Sequence, residues 1–113
     1  MNKRKIGSNY EDVAAIYLEE QGYTVLERNF RCRMGEIDIV ARDGRYLVFI
    51  EVKYRRDDRK GTALEAVNVH KQSTIRKVAG YYLWQHHFPA DIPCRFDVLG
   101  MTEGNIELIQ GAF

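Results

Sequence analysis

The chain has 113 residues, of which 45% are hydrophobic and 29% charged, and its formal net charge is +1. This length suits one domain over residues 1–113 with a buried core. No apolar run approaches the ~20 residues that cross a bilayer, and no signal-peptide core follows the N-terminus, so the cytoplasm is the default location. Cys32 and Cys94 form neither a zinc signature nor a disulfide framework.

The first predicted element is a helix, because apolar residues recur at helical period from Tyr10 to Leu18. Gly22 is well placed to end this helix. Three strands are predicted next, at residues 24–30, 36–42 and 45–54, and Asp43-Gly44 is a hairpin turn signal between the last two.

The second half of the chain begins with a polar loop, 55–61, and the capping-box pair Thr62 and Glu65, which predicts a short helical segment. A long helix is predicted to run on to about residue 87, and strands at 94–100 and 105–110 complete the order α-β-β-β-α-β-β. The first three strands suit an antiparallel meander, and the step from 45–54 to 94–100 suits a parallel pair. The sequence therefore predicts an α/β fold with a central mixed sheet flanked by helices.

The hairpin of the second and third strands carries the candidate chemistry. A loop at Asp43-Gly44 pairs Glu36 with Glu51, whereas a loop at Gly44-Arg45 pairs Asp38 with Glu51. Both registers have the same parity, so Ile37 and Ile39 are predicted on one face with the apolar residues of the third strand. The opposite face is predicted to carry Glu36, Asp38, Val40, Leu47, Phe49, Glu51 and Lys53.

Carboxylates on this second face would repel one another, since opposing side chains in a sheet lie ~5 Å apart and burial raises the energetic cost. Lys53 supplies one positive charge, and Mg²⁺ or Mn²⁺ would supply the rest. Asp38 and Glu51 are the candidate metal ligands, with the backbone carbonyl of Val52 as a further one. Lys53 could orient the attacking water, help to lower its pKa or stabilise charge on a phosphoryl oxygen.

The alternative interpretation is a solvated strand face with surface ion pairs, because a lone E-x-K pattern occurs on many exposed strands. Three features weigh against it. An aspartate lies on the partner strand at matching parity, apolar residues share the face, and the charges cluster at one end.

Two stretches of the hairpin resemble the small bacterial YraN family: Gly35 to Val40 (GEIDIV) and Leu47 to Lys53 (LVFIEVK). That family belongs to the PD-(D/E)XK nuclease superfamily, which includes restriction endonucleases and archaeal Holliday junction resolvases, and the resemblance covers nearly the whole chain. It implies a restriction-endonuclease-like core, with Asp38 and Glu51 as metal ligands and Lys53 as the catalytic lysine. It also implies that Glu11 assists at the site and that Lys71 and Arg55 contact nucleic acid.

Several other residues allow two interpretations. Glu11 is as well suited to a capping box with Ser8 as to the metal site. Glu36 suits an arginine partner better than a third ligand, and Asp97 faces the same choice with Arg95 two residues away. The aromatic residues of the long helix are predicted as core or partly exposed residues rather than a base-stacking surface: Tyr81, Tyr82 and Trp84.

The sequence thus predicts a Mg²⁺- or Mn²⁺-dependent endonuclease that hydrolyses phosphodiester bonds in DNA, with branched or damaged DNA as the expected substrate and no membrane partner. The first alternative is a nuclease-fold module that binds nucleic acid or a protein partner without cutting. A second is a structural protein whose acids pair with Arg31, Arg33 or Arg95. The sequence leaves a homodimer open.

Overall fold

The computed structural model describes residues 3–57, 59 and 61–113, with side chains from residue 9 onward. Within these residues five strands form one mixed sheet in the order β1-β2-β3-β4-β5. Only the β3–β4 pair in it is parallel, so the predicted α/β class, the meander and the parallel pair are confirmed. The elements in chain order are α1 (Lys3–Glu20), β1 (Thr24–Cys32), β2 (Gly35–Asp43), β3 (Tyr46–Tyr54), α2 (Ala63–Ala66), α3 (Val69–Gln85), β4 (Cys94–Thr102) and β5 (Asn105–Ile109).

The first helix ends at the predicted glycine. Gly22 has a φ of 97°, a conformation that side-chain-bearing residues rarely adopt. The amide of Gly22 donates to the Glu19 carbonyl and the amide of Tyr23 donates to the Leu18 carbonyl, both at 3.0 Å, which is the Schellman closure of a helix. Because α1 begins at Lys3, Ser8 lies inside the helix, and of the two interpretations of Glu11 the capping box with Ser8 is excluded.

The predicted long helix is divided into two. Thr62 and Glu65 form the predicted capping box, with Thr62 Oγ1 accepting from the Glu65 amide at 3.2 Å. Asn68 then interrupts the helical path with a ψ of 173°, and its side chain accepts a hydrogen bond from the Lys71 amide at 2.9 Å. A residue that caps a new helix must leave helical geometry, so Asn68 ends the first segment and places Lys71 in the first turn of α3.

The sheet is covered on both faces. α1 packs on one face around Ala14 and Leu18, and α3 packs on the other around Val78 and Tyr82. On the α1 side the sheet contributes Ile39, Ala41, Val48, Ile50, Leu99 and Met101. On the α3 side it contributes Phe30, Ile37, Val40, Leu47, Phe49 and Val98.

The β2–β3 hairpin has the second of the two predicted registers. Asp43 pairs with Tyr46 and Ile39 pairs with Ile50, so the loop is Gly44-Arg45 and Gly44 has a φ of 59°. This register brings Asp38 next to Glu51 rather than Phe49.

The face assignment fails at one position. Ile37 packs in the α3-side core and Ile39 in the α1-side core, although residues two apart in a regular strand share a face. The alternation is therefore interrupted at Asp38. On the neighbouring strand, Asn29 lies between the paired residues Arg28 and Phe30 and has a φ of 56°. Both strands depart from regular geometry at the same level.

The strands β2 and β3 separate at this level. Their pairing ends at Ile39 and Ile50, whereas β2 stays paired with β1 as far as Gly35 and β3 stays paired with β4 as far as Tyr54. We call the gap beyond Ile39 and Ile50 the fork. Asp38 and Glu51 are the first residues inside it.

A buried ionic network holds the other end of the sheet. Asp97 is fully buried and accepts hydrogen bonds from Arg95 at 3.0 Å, the Tyr23 hydroxyl at 2.7 Å and the Gly111 amide at 2.9 Å. Arg95 also donates to Asp43 at 2.8 Å. The predicted pairing of Arg95 with Asp97 is confirmed, and burial above all raises the pKa of Tyr23 to about 12.

Cys32 and Cys94 are free thiols, in accord with the expectation that no disulfide forms. Among the described residues, no helix combines the length and the apolar character that crossing a membrane requires.

Candidate metal and phosphodiester site

Asp38 lies at the opening of the fork, and its carboxylate accepts a hydrogen bond from the Val52 amide at 2.7 Å through Oδ2. This amide points toward β2 where the strand ladder has ended, so the carboxylate serves as its partner. Burial, followed by the negative charge of Glu51, raises the pKa of Asp38 from 3.8 to about 7. The Val52 bond opposes that shift, while Glu36 and Glu11 add to it.

Glu51 is 7% exposed and lies on the α3 side of the sheet, two residues after Phe49. Two ammonium groups approach the same carboxylate oxygen. Nζ of Lys71 is 3.1 Å from Oε1, and Nζ of Lys53 is 3.4 Å from it. The first turn of α3 and the end of β3 therefore converge on one buried carboxylate.

The two lysines also interact with each other. Burial and a hydrogen bond from Lys71 lower the pKa of Lys53, despite the opposing charge of Glu51. Burial alone would lower the pKa of Lys71 as well, but its bond to Lys53 and the charges of Glu51 and Asp38 raise it overall. The two lysines thus share one carboxylate oxygen, and their pKa values move in opposite directions.

This position of Lys71 corrects the charge argument made from the sequence. From the sequence, Lys53 was the one cation predicted near the carboxylates, and a metal ion was expected to supply the remaining positive charge. Because Asn68 starts a new helix, Lys71 reaches the carboxylate cluster and supplies a second positive charge. Its ammonium contacts Glu51 at 3.1 Å, and its contact with a phosphate stays a prediction.

Glu11 faces the fork from α1 but is held by β1. Asn29 Nδ2 donates to Glu11 Oε2 at 2.9 Å, and Nη2 of Arg28 lies 3.7 Å from the same oxygen. The charge of Glu11 contributes to the raised pKa of Asp38, so the two are electrostatic neighbours. Asn29 was not among the predicted site residues. The available signal was an asparagine within a strand, because asparagine is rare in strands and tolerates positive φ.

Arg55 and Glu36 lie at the margins of the site. Nη1 of Arg55 donates to the Gly61 carbonyl at 3.3 Å, in the basic loop that follows β3. Asp58 and Lys60 of that loop lie outside the described residues. Glu36 is bonded to Nε of Arg31 at 2.9 Å, so its interpretation as an arginine partner is confirmed.

The donor set suits a hard divalent cation that takes few protein ligands. Asp38 and Glu51 offer carboxylate oxygens, and the bond from Val52 leaves Oδ1 of Asp38 available. In the described part of the chain, no three His, Cys, Asp or Glu side chains are grouped as a metal cage. Mg²⁺ does not require one, since it is held by one or two carboxylates together with waters and substrate phosphates.

Comparison with known proteins places the chain among bacterial relatives of similar length. The family model described as "Uncharacterised protein family UPF0102" matches residues 10–101. A UPF0102 protein of Lachnoclostridium phytofermentans is 53% identical over 100% of this chain and 96% of its own length. One from Syntrophus aciditrophicus is 48% identical, covering 96% of this chain and 88% of its own. A third, from Nitrosomonas europaea, is 44% identical over 95% and 92%. The resemblance to YraN proteins is thereby confirmed at the level of the family, and the chain belongs to the UPF0102 (YraN) family.

Proposed function

We propose that this protein is a Mg²⁺- or Mn²⁺-dependent nuclease with a restriction-endonuclease-like core of the PD-(D/E)XK type, which hydrolyses phosphodiester bonds in DNA. One observation carries the proposal. Asp38 and Glu51 meet inside the fork, and the pKa of Asp38 stays at about 7 although two lysines adjoin the pair. The carboxylate charge is therefore only partly compensated, which favours binding of a further cation.

In this proposal Asp38 and Glu51 hold the ion, with the Val52 carbonyl as a further candidate ligand. The bound ion would supply Lewis-acid stabilisation of the charge that develops on the phosphoryl oxygens. Lys53 orients the attacking water, which loses a proton as the new P–O bond forms. Lys53 is the candidate acceptor of that proton, because burial and Lys71 lower its pKa. The opposite P–O bond breaks, and the leaving oxygen takes a proton from solvent. Lys71 holds the Glu51 carboxylate in place through its ion pair.

A nucleic-acid-binding module without catalysis is the second candidate. The observation in its favour is that both lysines already contact Oε1 of Glu51, which gives an ion-pair cluster that is satisfied without a metal. In such a module the fork would be a structural feature and the surrounding basic residues would bind the phosphate backbone.

The deciding experiment incubates the purified protein with linear, single-stranded, flapped and four-way DNA in Mg²⁺, in Mn²⁺ and in chelator. We expect metal-dependent cleavage that Asp38→Asn and Glu51→Gln abolish. Asn at 38 keeps an acceptor for the Val52 amide, so the fold is preserved while the charge is lost. Asp91→Asn, at an exposed loop position, is the matched control and should cut normally.

The same samples test metal binding without turnover. We expect Mg²⁺ to shift the amide resonance of Val52, because its hydrogen-bond acceptor is a proposed ligand. Undiminished cutting by Asp38→Asn would refute the catalytic assignment. Binding of DNA with no cleavage in either metal, and no shift at Val52, would establish the binding module instead.

A further inference from the structure

Trp84 stands out on the surface, because 72% of its side chain is exposed although it is the largest apolar residue of α3. Its ring lies beside that of Tyr81, with centroids 5.7 Å apart and planes inclined by 43°. Of the three aromatic residues predicted as core or partly exposed, Tyr82 is the core member at 3% exposure. Trp84 is the only tryptophan of the chain.

A groove of about 560 Å³ lies between the turn that joins β1 to β2 and the C-terminal half of α3. Gly35 brings the turn close to the helix, since a Cβ at this position would meet Thr74 Cγ2 at 3.0 Å. Because of this close approach, the turn forms one side of the groove and Tyr81 of α3 lies on the other. The groove is lined by Arg31, Cys32, Arg33, Met34, Tyr81 and Gln85.

The charged residues that line the groove are all basic. Of its six lining residues two are arginines and none is acidic. Arg31 bonds to Glu36, and Arg33 is exposed in the turn. Lys77 adds charge on the helix side, because positions 77, 81 and 84 follow the i, i+4, i+7 spacing of one helix face.

Basic side chains next to exposed aromatic rings suit the binding of a single-stranded nucleic acid. Positive side chains follow a phosphate backbone, and aromatic rings stack on bases that have no pairing partner. In a duplex the faces of the bases are already stacked on one another, so a single strand fits the rings better. A protein partner of acidic character would satisfy the arginines but would leave the stacking geometry of Tyr81 and Trp84 unused.

The groove also adjoins the fork. Asp38 is three residues along β2 from Gly35, which is about 10 Å at strand rise. Lys71 precedes Tyr81 by ten residues of α3, which is about 15 Å at helical rise. A nucleic-acid strand of a few nucleotides that lies in the groove could therefore reach the carboxylates of Asp38 and Glu51.

From this arrangement we infer that the groove binds an unpaired nucleic-acid strand, with Arg31 and Arg33 on the backbone and Trp84 and Tyr81 stacked on bases. The inference rests on the proposed nuclease function and narrows it. The substrate of that nuclease carries a single-stranded segment next to the scissile bond, as in a flap, a fork or a junction.

The test uses the fluorescence of Trp84 in the whole protein, in chelator, so that no cleavage is needed. We expect oligo(dT) to quench it saturably and with strong salt dependence, and a duplex of equal length to quench it far less. Arg33→Glu should weaken oligo(dT) binding by about tenfold or more, because one positive charge becomes negative. Arg45→Glu, at the exposed turn at the opposite end of β2, is the matched control and should bind normally.

The anisotropy of a labelled oligo(dT) then measures the affinity of Trp84→Ala, which cannot be followed by tryptophan fluorescence. If Trp84 stacks on a base, this affinity should fall by about 5- to 100-fold. Unquenched fluorescence together with equal affinities for Arg33→Glu and Arg45→Glu would overturn the inference, as would tighter binding of duplex than of single strand. The two proposals fail separately. Cleavage without quenching refutes the groove alone, and quenching without cleavage refutes the nuclease alone.

Discussion

The ammonium of Lys71 lies 3.1 Å from Oε1 of Glu51, and this carboxylate is one of two charged side chains that the structure buries among its described residues. The contact means that the site contains an internal cation of its own. Any divalent ion bound by Asp38 and Glu51 would lie close to that ammonium and would be repelled by its charge. The relation between Lys71 and Glu51 therefore leads to a first prediction.

Lys71→Met should destabilise the protein in chelator by on the order of 1–3 kcal/mol, because it leaves the buried Glu51 with Lys53 alone and Lys71 itself is partly solvent-exposed. Mg²⁺ should restore part of the loss and should bind more tightly than to the unmodified protein, since a competing charge is gone. Urea unfolding with and without Mg²⁺ measures both effects. Lys77→Met, on the exposed face of the same helix, is the control. A loss that Mg²⁺ leaves unchanged would contradict the prediction.

Asp38→Asn should stabilise the protein more at high pH than at low pH. The pKa of Asp38 rises from 3.8 to about 7 on folding, so the folded state binds the proton more tightly than the unfolded state. Below pH ~4 both states are protonated and the carboxyl has no net effect, whereas stability falls as the pH rises toward ~8. Asparagine removes this loss.

The free energy of unfolding of Asp38→Asn should exceed that of the unmodified protein by an amount that grows by about 2–4 kcal/mol between pH ~4 and pH ~8, in chelator. Urea unfolding across that range provides the measurement, with Asp91→Asn as the exposed control. A gain that does not vary with pH would show that Asp38 titrates normally in the folded protein.

Asp97→Ala should be among the most destabilising single changes. It removes the acceptor for Arg95, Tyr23 and the Gly111 amide and leaves a guanidinium without its main partner. The expected loss is on the order of 3–5 kcal/mol, a large part of the stability of a small domain. Thermal and urea unfolding should show it, while Asp91→Ala stays within about 0.5 kcal/mol. A comparably small effect of Asp97→Ala would mean that the network contributes specificity rather than stability.

Gly100→Ala tests the packing of α2 on β4. A Cβ at Gly100 would lie 2.5 Å from Cβ of Ala63, closer than two such atoms approach. We expect a loss of about 1–3 kcal/mol from overpacking. Ala63→Gly removes the opposing methyl group, so the double variant should be more stable than the sum of the two single losses. A double-variant cycle by urea unfolding gives this coupling, and strictly additive losses would refute the contact.

Periodicity in the sequence predicted the architecture well. Alternation in β2 and β3, helical spacing in α1 and α3, and the turn glycines were enough for the element order, the meander and the parallel pair. It could not choose between two hairpin registers, because a shift of two residues in the pairing preserves parity. Gly44-Arg45 forms the loop, and this register is the one that places Asp38 beside Glu51.

The candidate site was predicted less completely, because its geometry depends on departures from periodicity. Ile37 was assigned to the wrong face, since nothing in a period-two pattern marks the interruption at Asp38. The ion pair of Lys71 with Glu51 was not predicted, since the cap at Asn68 that places Lys71 in the first turn of α3 was not recognised. The contact of Lys71 with nucleic acid stays a prediction. Asn29 was missed because neither its positive φ nor its hydrogen bond to Glu11 shows in a period-two pattern.

The fork has a mechanical consequence. Each of its two arms is secured from outside, β2 by its pairing with β1 to Gly35 and β3 by its pairing with β4 to Tyr54. Most of the hydrogen bonds that hold the two arms are therefore backbone bonds outside the fork, and Asp38 adds one bond across it, from the Val52 amide. Relatives of this chain could therefore replace the carboxylates and lysines of the fork one by one, and so gain or lose activity, while the strands that form the fork kept their positions.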